Sequence, residues 1–204
     1  MVMPKQVDPA AQRLSIANAA IAVIDRDGLD GARLRDVARA AQVTTGAVTH
    51  YFDNKDAVLE AALAEVVRRI LEKQAEPPPS WTYPDAIVDQ ACMFLPLDDD
   101  LQRDWRVWLA FWGRAVFDER LRAIHRGYYD EIVGRVAVLL TTRSGGRIDS
   151  AQGRDLADAI IAAVDGVGVR ATFEVELWPA DRQRRTLSAL LRPLLAPHFD
   201  TRTA

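Results

Sequence analysis

The sequence predicts an all-α protein of about nine helices, with a small three-helix domain followed by a larger helical domain. Apolar residues recur at helical spacing along most of the chain, and no segment sustains the alternation typical of a strand. A proline run at 77–79 marks the clearest break. We therefore expect an N-terminal domain over residues 1–54, a connecting helix over 55–76 and a C-terminal domain over 77–204.

The first helix is expected over Pro9–Asp27. Asp8 can cap it through its carboxylate, and proline suits the first helical turn. Gly28 is placed to end it. The following Leu29 and Leu34 should then pack back onto the same small domain.

Two short helices joined by a tight turn are expected between residues 34 and 60. Val37 lies on the apolar face of the first helix and Val48 on that of the second. Thr44 or Thr45 can cap the second helix. This arrangement is a helix-turn-helix, whose second helix can lie in the major groove of DNA.

The rest of the chain reads as helix. Asn54 should cap a fourth helix that runs to about Ala75, before the proline run Pro77–Pro79. The later spans are expected at Tyr83–Leu95, Leu101–Val116, Asp118–Thr142, Ser150–Glu174 and Ala180–Leu194.

The segment Gly46–Asp56, GAVTHYFDNKD, resembles the end of the DNA-binding domain in TetR-family repressors. The shared pattern is an early glycine in the recognition helix, an aromatic pair at its end and a lysine starting the fourth helix. The form HYF-x-x-KD is similar to the BetI-type branch, which includes choline-responsive repressors. The likeness extends more loosely to Trp105–Trp112 and Ala163–Gly168. It implies a ligand-responsive regulator, most simply a repressor, which binds a palindromic operator as a homodimer and is released by a small-molecule effector.

This chain departs from the family pattern at three positions. Gln42 stands in the turn where many relatives have glycine, so a non-glycine residue is expected there at positive φ. Thr49 stands where many have tyrosine, and Arg33 where many have serine or threonine. The last two differences bear on which operator is read.

The recognition helix is expected over Thr45–Phe52, with its first residues facing base edges. Threonine hydroxyls can donate or accept hydrogen bonds, and methyl groups can contact the thymine methyl. His50, Tyr51 and Lys55 are expected at phosphates, although Tyr51 could instead belong to the core, as Phe52 should. The candidate DNA-contacting residues are Arg33, Arg35, Thr44, Thr45, Gly46, Ala47, Thr49, His50, Tyr51 and Lys55.

Overall charge does not favour nucleic acid as a partner. The net charge is −3, and residues 1–60 contain seven Lys or Arg against eight Asp or Glu. DNA binding would depend on local placement of cations such as Lys5 and Arg13, and on backbone amides at helix N-termini.

Trp105, Trp108 and Trp112 follow the spacing i, i+3, i+7, which places three indoles on one helix face. An aromatic box of this kind can hold a cationic ligand, whereas the alternative is that the indoles fill a helical core. Asp165 interrupts the apolar run AIIAAVDGVGV and needs a ligand cation, Arg170, Arg114 or backbone N–H groups as its partner. The candidate effector-binding residues are Phe94, Trp105, Trp108, Trp112, Tyr128, Tyr129 and Asp165.

The last two helices carry dense apolar faces, which favour a two-fold four-helix bundle over packing within a monomer. Gly166 and Gly168 would allow close approach of helices across such a dimer. The candidate interface residues are Ile160, Ile161, Val164, Val167, Leu187, Leu190, Leu191 and Leu194.

Other classes have weaker support. His50, His125 and His198 are scattered, and no catalytic, nucleotide-binding or metal-ligating motif occurs, so we expect neither a cofactor nor a metal. An all-α enzyme with an accessory helix-turn-helix and an effector-independent architectural protein remain as alternatives. The lone Cys92 fits a buried thiol in a reducing cytoplasm, and no secretion signal or membrane span is evident.

Overall fold

The computed structural model describes residues 8–73 and 84–199, and within these ranges it contains nine α-helices and no strand. This confirms the all-α prediction. The expected helix end near Ala75, the Pro77–Pro79 break, the 76/77 boundary and the start at Tyr83 lie outside the described residues. The helices are α1 (Pro9–Gly31), α2 (Leu34–Ala40), α3 (Thr45–Tyr51), α4 (Lys55–Lys73), α5 (Pro84–Cys92), α6 (Asp99–Ala115), α7 (Glu119–Arg143), α8 (Ser150–Phe173) and α9 (Ala180–Leu195), followed by a 3₁₀ turn at Ala196–His198.

The helix-turn-helix is formed by α2 and α3. Thr44 caps α3, because its hydroxyl accepts a hydrogen bond from the Ala47 amide at 3.1 Å. Gln42 has a φ of 57°, so the turn adopts the left-handed conformation without glycine, as predicted. Val48 is fully buried, so α3 is anchored through one face while its other side stays in solvent.

Helix α1 is longer than predicted, but its regular part ends where expected. Gly28 has a φ of 70° and kinks the helix, and only a short turn follows it. Leu29 is buried beyond the kink, and Leu34 packs against the core. Helix α1 then packs against both α4 and α6, so it links the helix-turn-helix to the larger helical part of the chain.

Aspartate caps set the starts of α6, α7 and α8. Asp98 accepts from the Leu101 amide, so α6 begins two residues before the predicted Leu101. Asp118 is the cap of α7 and not its first residue. Asp149 forms a capping box with Gln152 at the start of α8.

Helix α5 is shorter than predicted, ending at Cys92 instead of Leu95. The amides of residues 93–95 bond to carbonyls three residues earlier, which gives a tight turn before Pro96. This turn brings Phe94 beside α6. Cys92 is buried, and burial raises the pKa of its thiol.

Candidate DNA-contacting surface and ligand pocket

The solvent-facing side of α3 carries most of the predicted base-reading residues. Thr44, Thr45, Gly46 and Thr49 are exposed together with His50, while Ala47 and Tyr51 are half-buried. The Thr49 hydroxyl donates to the Gly46 carbonyl at 3.1 Å, which leaves its methyl and oxygen available on the surface. Small groups therefore dominate this face, and a side chain of this size can come close to base edges.

Two cations brace the ends of this surface. Arg13 on α1 donates to the Tyr51 carbonyl, and its guanidinium lies 4.3 Å from the centroid of the buried Phe52 ring. Lys55 donates to the Asp30 carbonyl at 3.1 Å, which ties the start of α4 to the end of α1. The sequence pattern identified Arg13 only as a local positive charge. Lys55 keeps two further N–H donors, so this hydrogen bond is compatible with a phosphate contact.

The two arginines predicted to contact DNA, Arg33 before α2 and Arg35 within it, are exposed to solvent. Arg33 is exposed at the N-cap position of α2, where no side-chain cap bond forms. Arg35 is also exposed and lies 3.9 Å from Asp36, at the limit of an ion pair. Since exposed pairs at this distance contribute little, Arg35 is free to turn toward a phosphate.

A narrow, mostly apolar pocket lies among α4, α6, α7, α8 and the turn after α5. Its volume is about 60 Å³. Five of the seven candidate effector residues line it. The lining residues are Ile70, Met93, Phe94, Leu101, Asp104, Trp105, Trp108, Tyr129, Ile132, Ile161, Val164 and Asp165.

Asp165 is a carboxylate on the pocket wall that has a hydrogen bond but no cationic partner among the described residues. Tyr129 donates its hydroxyl to Asp165 Oδ2 at 2.8 Å, and burial raises the pKa of the carboxyl to about 6. The expected cationic partners are engaged elsewhere, since Arg170 pairs with Glu174 and Arg114 pairs with Asp56. Within the described ranges, no ion pair is found for Asp165. At neutral pH a mostly ionised carboxylate therefore faces an apolar cavity.

Trp105 is held as a rigid wall of the pocket. Its indole N–H donates to the Phe94 carbonyl at 2.8 Å. The ring lies against Gly168, where an added Cβ would be 2.1 Å from the ring. The close approach that Gly168 permits is thus between α6 and α8 of one chain, which corrects the expectation of an approach across a dimer. Gly166 is exposed, with nothing within 4 Å of an added Cβ.

Trp112 and Tyr128 do not reach the pocket. Trp112 belongs instead to a closed aromatic cluster with Trp108, His125 and Tyr129, whose ring centroids are 4.6 to 6.4 Å apart. Rings this close leave no room for a cation between them, so the three tryptophans do not form one open box. The sequence alone does not place His125 in an aromatic cluster. Its i, i+4 spacing to Tyr129 nevertheless indicates that the two rings share a face of α7. Burial lowers the pKa of His125 and favours the neutral ring.

A second, more open groove lies between α5, α7 and the middle of α8. Its volume is about 730 Å³, and it shares Phe94 and Ile161 with the pocket. Its charged residues include Asp130, Glu131 and Arg135, and all three are exposed. Asp130 pairs with Arg154, and Glu131 pairs with Arg135. We therefore take the smaller pocket, with its uncompensated carboxylate, as the candidate ligand site.

Most of the residues predicted at the dimer interface are buried inside the single chain. Ile160, Ile161, Val164, Val167, Leu187 and Leu191 are all at most 8% exposed. Leu190 is 52% exposed and Leu194 is half-buried. The six buried side chains thus form the core of the chain itself, because helical spacing alone does not tell which of two apolar neighbours an α-helix faces.

In the described part of the chain, no group of His, Cys, Asp or Glu could hold a metal ion. No described helix is both long and apolar enough to cross a membrane.

The exposed helix α3 and the pocket enclosed by later helices define a helix-turn-helix transcriptional regulator. Residues 16–62 match the model described as bacterial regulatory proteins, tetR family. Residues 85–196 match the model described as BetI-type transcriptional repressor, C-terminal. The chain belongs to the TetR family of transcriptional regulators, in its BetI-type branch. Because the chain belongs to a family of regulators, the alternative of an all-α enzyme is not supported.

Curated relatives and solved structures agree with this membership. The chain is 26% identical over 188 residues to the HTH-type transcriptional regulator BetI of Vibrio campbellii, covering 89% of this chain and 91% of that protein. The BetI of Burkholderia mallei (strain NCTC 10229) is 26% identical over 197 residues, covering 96% and 99%.

Two solved structures show the same fold. A transcriptional regulator from Rhodococcus sp. Rha1 superposes with a TM-score of 0.80 at 27% identity, covering 94% of this chain and 97% of that one. A regulator from Saccharomonospora viridis, crystallised in complex with choline, gives a TM-score of 0.74 at 21% identity, covering 88% and 95%.

Proposed function

We propose that this protein is a cytoplasmic repressor that binds a palindromic operator as a homodimer and is released by a small cationic effector. The observation that carries the effector class is Asp165, an uncompensated carboxylate in an apolar pocket. A half-buried charge that faces an apolar cavity is costly unless a partner neutralises it. A ligand cation is the partner that would also make occupancy of the pocket favourable.

The walls of the pocket suit a methylated ammonium group. Trp105, Trp108 and Tyr129 present aromatic surface beside the Asp165 carboxylate. Aromatic faces attract a cation within about 6 Å of the ring centroid, and desolvation strengthens the attraction. The pocket is small, which favours a compact ligand. The structural neighbour that holds choline supports this class, although its likeness to the present chain is one of fold.

In this proposal, residues 1–54 read DNA, residues 55–76 connect the two domains, and residues 77–204 bind the effector and dimerise. The dimer surface we propose is the solvent face of α8 and α9 and not their buried faces. Phe173 on α8 and Leu190 on α9 are 77% and 52% exposed, and Leu177 in the segment between these helices is 61% exposed. Several large apolar side chains exposed near the end of a helical domain are typical of an interface.

Leu190→Glu is expected to give a folded monomer. The side chain points into solvent in the single chain, so the charge costs the fold little but opposes burial against a second copy. Light scattering at micromolar concentration should show the monomer mass with unchanged helical circular dichroism. The matched variant Leu191→Glu should instead unfold the chain, because Leu191 is 1% exposed. A Leu190→Glu protein that stays dimeric would place the interface elsewhere.

Changes on α3 should alter sequence preference. Replacing Thr45 or Thr49 with alanine removes a hydroxyl from the exposed base-facing side, which should change the bases selected from a random duplex pool. Lys55→Ala should weaken binding to all duplexes alike and lower the slope of log affinity against log salt concentration by about one, since a phosphate contact carries no sequence information. The absence of any enriched palindrome with the unaltered protein would remove the operator proposal.

The experiment that tests regulation is release of the selected duplex. Fluorescence anisotropy of the labelled duplex should fall when choline or tetramethylammonium is added, and stay constant with the neutral isostere 3,3-dimethylbutan-1-ol. Anisotropy that no small molecule changes would favour the remaining alternative, an architectural protein that binds DNA without an effector.

A further inference from the structure

One arginine beside the pocket joins three helices. Arg69 on α4 donates to Asp104 on α6 at 2.9 Å and to Asn18 on α1 at 2.5 Å. It also donates to Glu65 on its own helix at 3.1 Å. Asp104 and Glu65 are 7% and 5% exposed, so the guanidinium holds two buried carboxylates at once.

Asp104 also lines the ligand pocket, beside Trp105 and Trp108. The pocket therefore has two carboxylates on its wall. Asp165 has no ion pair within the described ranges, while Asp104 is shared between the cavity and the guanidinium of Arg69. Any cation that enters this cavity is attracted by both carboxylates and repelled by Arg69, because the cavity is poorly screened by solvent.

We propose that Arg69 is the positioning residue through which a bound cation acts on the DNA-binding domain. The inference rests on the proposed function, since it requires a cationic effector in this pocket. A cation beside Asp104 weakens the hold of Asp104 on Arg69, and the repelled guanidinium also loses its bond to Asn18. The brace between α1, α4 and α6 is thereby loosened, and the two recognition helices of a dimer lose the spacing that an operator requires.

The fold provides comparison bridges that avoid the pocket. Arg106 on α6 forms an ion pair with Asp25 on α1, and Arg120 on α7 pairs with Glu60 on α4 at 2.8 Å. None of these four residues lines the cavity. They can stabilise the same packing of helices, but a ligand in the pocket does not compete for them.

The test compares Arg69→Gln with the matched variant Arg106→Gln. Isothermal titration first measures binding of choline chloride and tetramethylammonium chloride to each protein without DNA. Duplex affinity is then measured with and without a saturating cation, and the ratio of the two dissociation constants gives the coupling. We expect the coupling of the unaltered protein, typically about 5- to 150-fold, to fall to within about twofold of unity in Arg69→Gln. Arg106→Gln should keep it, whatever its own duplex affinity.

A purely structural Arg69 would lower duplex affinity and leave the coupling ratio unchanged, which would overturn the proposal. Equal loss of coupling in Arg69→Gln and Arg106→Gln would also overturn the proposal, because any ion pair between these helices would then transmit the effect of the cation. Asp104→Asn is a second test, because asparagine keeps the shape of aspartate without its charge. Coupling should be lost in this variant even if Arg69→Gln folds poorly. Failure of the unaltered protein to bind either cation would instead refute the effector class, and it would be seen in the first titration.

Discussion

Gly168→Ala is expected to lower the free energy of unfolding by about 3 kcal/mol or more, and to abolish the pocket. The added methyl group would lie 2.1 and 2.2 Å from two atoms of the Trp105 ring, so the ring must move or α6 must shift. Overpacking of this kind costs about 1–3 kcal/mol, and an unpaired Phe94 carbonyl adds about 1–3 kcal/mol when the indole bond breaks. Urea unfolding followed by circular dichroism measures the loss.

The control is Gly127→Ala in the interior of α7. Gly127 is exposed, and nothing lies within 4 Å of its added Cβ. Replacing a glycine within an exposed helix by alanine should stabilise it by up to about 1 kcal/mol. The two variants add the same methyl group, so their difference isolates the contact with Trp105. If Gly168→Ala were as stable as Gly127→Ala, the tight packing of α6 on α8 would be refuted.

Asp165→Asn is expected to weaken cation binding by about 1–3 kcal/mol, or roughly 5- to 150-fold, while making the ligand-free protein more stable. The pKa of the folded carboxyl is raised from 3.8 to about 6, so its contribution to stability is present below about pH 4 and is lost as pH rises through 6. At pH 7.5 the ionised carboxylate therefore destabilises the fold by up to about 3 kcal/mol. The amide of asparagine avoids this cost and can still accept from Tyr129.

Titration calorimetry and thermal unfolding at several pH values check this pair of effects. Cation affinity of the unaltered protein should fall as pH drops through about 6, approaching tenfold per unit, because the carboxyl becomes protonated. The asparagine variant should show no such dependence, and 3,3-dimethylbutan-1-ol should bind both proteins alike. A variant that binds choline normally, or that melts below the unaltered protein at pH 7.5, would show that Asp165 is structural.

The N-terminal part of the fold was the easiest to predict, because its signals are local. Asp8, Thr44 and Asn54 cap helices within three residues of the amides they accept from, and Gln42 fills a turn whose geometry the neighbouring helices impose. The end of α5 was missed because three apolar residues after Cys92 fit a tight turn as well as a helix. The start of α6 was missed because any of three adjacent aspartates could cap it.

The candidate ligand site was only partly predictable. The spacing of Trp105, Trp108 and Trp112 gives their common face on α6, but the position of the neighbouring helices decides that Trp112 packs against His125. Arg69 carried no sequence signal, since its partners on α6 and α1 are 35 and 51 residues away. Contacts between side chains that are distant in sequence become visible only when the helices have been placed.

The uncompensated carboxylate of Asp165 also has a genetic consequence. If a cationic effector binds as proposed, an allele that neutralises position 165 weakens the response to the effector and stabilises the protein, so the cell would contain more of a regulator that responds less. Such super-repressor alleles carry no folding penalty that would eliminate them. Populations grown without the effector should accumulate them at this codon, and only periodic exposure to the effector, when the repressed genes are needed, would preserve the aspartate.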